Sequence, residues 1–98
     1  MVSLRTDLAT LSALQTEAYA EPPTPAWQAR IATKEARDEL AGWLASIAYR
    51  VAALGLRREA RQILTVLPGV TVSAPLRQLV EEAADEADRL AWRVTADL

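Results

Sequence analysis

"LAGWLASIAYRVAALGLRREARQILTVLP", residues 40–68, decides the fold of this chain. Leu40, Trp43/Leu44, Ile47, Val51 and Leu54 recur at three- and four-residue spacing, the repeat of one helix face. Gly55 then breaks the run, supplying the left-handed residue on which helices commonly stop. Beyond it Leu56, Ala60, Ile63, Leu64 and Leu67 resume the same period until Pro68-Gly69 makes a turn. The stretch therefore reads as two helices joined by about one residue.

Upstream, "SLRTDLATLSALQTEAYA" spaces Leu4, Leu8, Leu11, Leu14 and Ala18 as an amphipathic helix, with Ser3 as its N-cap. "EPPTP" stops it, because three prolines in four residues cannot continue a helix. Thr24-Pro25 starts the next one, threonine capping and proline at the first position, where a missing N–H costs nothing. That helix is expected from about Pro25 to Leu54. Its stripe is thin between Ala32 and Glu39, so either the middle is solvated or the helix breaks near Thr33. Downstream, "VTV" is too short to found a sheet. Ser73 or Ala74, with Pro75 just inside, opens a last helix whose apolar face is Leu76, Leu79, Val80, Ala83, Ala87, Leu90, Ala91 and Val94.

Composition agrees. The 98 residues are 51% hydrophobic, with no phenylalanine and three glycines, and alanine and leucine lose little side-chain freedom in helices. The expected fold is all-α, a small bundle of about four helices. Residues 1–20 form an N-terminal amphipathic helix, 21–25 a Pro-rich linker and 26–98 the helical core domain. The linker leaves open whether the first helix packs on its own core or on a neighbour's.

With neither histidine nor cysteine, the commonest general base, the thiol nucleophile and the usual transition-metal ligands are missing. The chain is expected not to be an enzyme and to need no cofactor or metal. "EEAADEADR" holds the densest carboxylates, and Glu81, Asp85 and Asp88 share one helical flank. The segment lacks the glycine turn and alternating ligands of a calcium loop. It reads as a solvated face paired in part with Arg77, Arg89 and Arg93 along the helix. No apolar run approaches the roughly 20 residues of a membrane span and no signal-peptide core opens the chain, so a soluble, cytoplasmic protein without membrane contact is expected.

Charge and aromatics supply the candidate site. Arg57, Arg58 and Arg61 crowd the glycine turn against Glu59 alone, in a chain of net charge −2. A DNA-reading helix-turn-helix wants a small residue four before the glycine and an apolar anchor six after it. Those positions hold Val51 and Arg61, so neither fits. Phosphate contact needs only positive charge, which keeps a nucleic-acid-associated regulator using Arg57, Arg58 and Arg61 as the alternative. Tryptophan and arginine are also the residues that anchor protein interfaces. The candidate partner-binding residues are Trp27, Trp43, Leu56, Arg57, Arg58, Arg61 and Trp92. Trp43, on the main stripe, is expected in the core, and Trp27 and Trp92 at its boundary.

Residues 40–68 resemble a single tetratricopeptide-type helical hairpin. Leu44, Ile47 and Ala48 take the large, large and small positions of the first helix, Gly55 the turn, and Glu59-Ala60 the start of the second, with Leu64 and Leu67 following. Pro68 arrives about a turn early and no second repeat is found. Small single-hairpin relatives of this kind are similar to secretion chaperones and co-chaperones, so the resemblance implies protein binding. The expected function is a protein–protein interaction module (adaptor, chaperone or assembly subunit) that binds a protein partner or associates with itself, a homodimer included.

Overall fold

The computed structural model describes residues 3–97. Within them the chain is all α, with five helices and no strand: α1 (Leu4–Ala18), α2 (Pro25–Arg30), α3 (Lys34–Ala53), α4 (Arg57–Leu64) and α5 (Ala74–Asp97). No helix among the described residues is long and apolar enough to cross a membrane.

The start signals act as their chemistry dictates. Ser3 accepts from the Thr6 N–H, Thr24 from Trp27 N–H and Thr33 from Ala36 N–H, each satisfying a donor that has no partner within its own helix. The third of these caps resolves the thin stretch: the chain breaks at Ile31–Thr33, so α2 and α3 are two helices. Arg37 donates to the Ile31 carbonyl at 2.8 Å and closes the open end of α2.

At the far end of α3, Gly55 takes φ +87°. Its N–H donates to Ala52 O at 2.9 Å and that of Leu56 to Val51 O at 3.3 Å. This is the paired Schellman closure, which requires a left-handed residue. It folds α4 straight back on α3.

α3 is the central element. Ile47, Leu44, Ala48 and Ala52 are fully buried, and its largest interfaces are with α5 and α4. Much of this packing is alanine on alanine: Ala45, Ala48 and Ala52 of α3 lie in one core with Ala60 of α4 and Ala83 and Ala84 of α5. Small side chains let the backbones approach closely, which suits a domain of this size.

The first helix packs on its own chain. Leu11, Leu14 and Ala18 of α1 belong to the same core, and Asp7, itself buried, is ion-paired with Arg50 of α3. Tyr19 Oη donates to the Val66 carbonyl at 2.9 Å, tying the proline-rich connection to the loop after α4.

The tryptophan placement differs from expectation. Trp27 is 2% exposed and sits in the core, whereas Trp43 is only partly buried at its edge. The break at Ile31–Thr33 is the cause: it frees α2 to turn its one aromatic inward.

Candidate functional site

The arginine turn faces inward on its own chain. Arg57 opens α4 and Arg61 follows one turn later, on the side that meets α5. Arg57 donates to Glu81 at 2.5 Å, Asp85 at 2.6 Å and Asp88 at 2.9 Å. Arg61 makes a bidentate pair with Glu81, at 2.5 and 3.0 Å. Three carboxylates thus converge on two guanidiniums, in the fork geometry that arginine favours. Asp88 and then Asp85 do most to hold the charge on Arg57.

The expected i, i+4 pairing of these acids within α5 is therefore corrected. Their flank is as read, but it is matched across helices by α4, and among the described residues Arg89 is the α5 arginine that pairs on its own helix, with Glu86. Arg58 is exposed and makes no ion pair among the described residues.

The network has a pH signature. Hydrogen bonding to Arg61, reinforced by Arg57 and opposed by partial burial, holds the Glu81 carboxyl below its ordinary range. A carboxyl depressed in the folded state stabilises fully above its unfolded pKa of about 4.3, and that stabilisation is lost as pH falls through the lower folded value. Melting temperature is expected to hold from pH 7 to about 5 and then decline. Glu81→Gln should lower it at pH 7 and flatten the acid decline. An acid decline identical in the variant would contradict this account of α4 and α5.

Beyond the network α5 outruns its neighbours. Arg61 meets Glu81 and Arg57 meets Asp88, so α4 and α5 are antiparallel, and α4 ends its cover at Asp88. Every residue from Asp88 to Ala96 is exposed. At 1.5 Å per residue that segment projects about 13 Å. It accounts for a radius of gyration of 15.3 Å and a 54 × 26 × 24 Å outline, against roughly 13 Å expected of a compact chain this long.

The projecting segment is apolar on one side. Leu76, Val80, Ala83, Ala87, Leu90 and Val94 alternate four and three apart, so the stripe that packs on α3 continues unchanged into solvent. Leu90 is 51% exposed, Val94 63% and Trp92, on the acid flank, 69%. Near its base Leu54 and Leu56 of the α3–α4 turn are exposed as well.

A second apolar feature lies between α3 and α5. Gly42, Ala45, Ser46 and Tyr49 form one wall with Arg50, and Leu76, Leu79 and Val80 the other, of a groove of about 300 Å³. Tyr49 and Leu79 are each about half exposed at its mouth.

Of the seven residues singled out from sequence, Trp27 lies in the core and Trp43 at its edge. Arg57 and Arg61 join the ion-pair network, and Leu56, Arg58 and Trp92 are exposed. Sequence reasoning missed Tyr49, Leu79, Leu90 and Val94 as surface residues. A usable signal existed: the α5 stripe is longer than any helix available to cover it, 24 residues against 20 in α3 and eight in α4. Comparison with protein-family models, curated proteins and solved structures finds no match to this chain.

Proposed function

We propose that this chain is a protein–protein interaction module, an adaptor, chaperone or assembly subunit, that works by seating an apolar helix face against another protein. The observation that carries the reading is the bare end of α5. Leu90, Trp92 and Val94 are large apolar side chains on a helix that has left its bundle. Exposed apolar surface of this kind marks interaction sites, and helix-in-groove packing is the recognition mode it suits. The single-hairpin resemblance of residues 40–68 points the same way. A cytoplasmic setting, with a protein partner or a second copy of the chain, completes the reading.

The nucleic-acid alternative is the second reading and has less to draw on. Arg57 and Arg61 are matched by three carboxylates, which leaves Arg58 as the one cation of the turn without a partner among the described residues.

A photo-crosslinking side chain placed at position 90 in the source cells tests the proposal, with position 12 on α1 as the control. Discrete covalent protein adducts are expected from position 90 and not from the exposed Ser12. An absence of adducts from position 90, or equal labelling from both, would sink the reading.

A further inference from the structure

We propose that the projecting end of α5, residues 88–96, docks head to tail into the α3–α5 groove of a second copy of this chain. The inference rests on the interaction-module reading and names its partner.

Size comes first. The projecting segment is about 13 Å long, and Gly42 to Tyr49 spans roughly 10 Å along α3. Gly42, Ala45 and Ser46 keep one end of the α3 wall low, and a Cβ at Gly42 would meet no atom within 4 Å. A helix can therefore approach closely there, with Leu90 and Val94 entering between Tyr49 and Leu79.

Charge then selects the occupant. Arg93 stands beside Leu90 and Val94 and makes no ion pair among the described residues, whereas Arg89 is held by Glu86 on its own helix. Around the groove the sign is opposite. Glu35 and Glu39 precede Gly42 on α3 and Glu82 follows Leu79 on α5, while Asp38 is paired with Lys34 and Glu86 with Arg89. Glu35, Glu39 and Glu82 make no ion pair among the described residues, whereas Arg50 within the groove is neutralised by Asp7. An apolar helix end bearing Arg93 thus meets an apolar groove with Glu35, Glu39 and Glu82 nearby in the chain, and this chain carries both.

The alternatives within one sequence are weaker. The segment cannot fold back into its own groove, because it is continuous with the helix that forms one wall. Pairing two projecting segments antiparallel about Ala91 would set Arg93 against Arg89 of its copy, a like-charge contact. A head-to-tail contact is heterologous: a pair keeps one free groove and one free end, so further copies add to a chain or close a ring. A nine-residue segment in a groove of about 300 Å³ makes a small interface, so association is expected in the micromolar range.

Sedimentation velocity on wild type and two variants tests this. Leu90→Glu/Val94→Glu disables the projecting end and Gly42→Arg blocks the groove. Both change exposed positions, and a circular-dichroism melt confirms folding. Val94→Ser and Ser46→Arg replace either one that fails. Wild type should grow in mass with concentration, and each variant alone should weaken association by at least about tenfold. An equimolar mixture of the two should then recover a one-to-one complex, because one intact groove meets one intact end. A groove variant that still dimerises alone means symmetric pairing of the projecting ends, and overturns the proposal. So does a mixture that stays monomeric. A monomeric wild type overturns it too, yet leaves the interaction-module reading standing if position 90 crosslinks a different protein in cells.

Discussion

Replacing Trp27 with alanine is expected to remove about 3–5 kcal/mol of folding stability, the usual cost of emptying a buried tryptophan site. The side chain is 2% exposed and is the one buried residue of α2. It lies in the same core as Leu14 and Ala18 of α1, so its loss detaches the short helix and loosens the first together. A domain of this size commands about 5–15 kcal/mol in total. At roughly 4–8 °C per kcal/mol, the melting temperature should fall by about 12–40 °C. Trp27→Phe keeps most of the volume and should cost much less. A thermal melt of Trp27→Ala within a few degrees of wild type would show that α1 and α2 are not held by this residue.

Ala48→Leu is the second large effect, and it works in the opposite way. Ala48 has no exposed surface and lies on the helix that packs against both α4 and α5. Ala60 of α4 and Ala84 of α5 belong to the same buried core, so three further carbons at position 48 are expected to strain the packing of α3 on its neighbours. Overpacking a site of this kind costs about 1–3 kcal/mol. Because the strain pushes α5 away from α3, the α3–α5 groove should change along with stability. Chemical denaturation of Ala48→Leu measures the cost. A variant as stable as wild type would mean that the alanine seam has slack.

The sequence carried the local signals well. Ser3, Thr24-Pro25 and Gly55 each act through a backbone group one to five residues away, so a linear reading can find them. The Ile31–Thr33 break is ambiguous in the sequence, since a thin apolar stripe fits a solvated helix and a broken one equally. The two inner tryptophans changed places for the same reason: which way Trp27 turns depends on whether α2 is free of α3. Nothing in the spacing of Glu81, Asp85 and Asp88 names Arg57 and Arg61 as partners, because periodicity orders one helix and is silent about which neighbour crosses it. Likewise the α5 stripe is plain from Leu76 to Val94, but a stripe does not say where its cover ends. Both features of the candidate site, the ion-pair network and the uncovered helix, come from packing between helices.

Amide hydrogen exchange at rising protein concentration tests the central claim most directly, because it reads both proposed surfaces in one sample. Residues 76–87 should be protected throughout by the bundle. In dilute solution residues 88–96 should exchange freely, and on concentration they should gain protection in step with residues 42–49 of α3. Protection that rises at 88–96 alone, or at neither segment, would contradict the account.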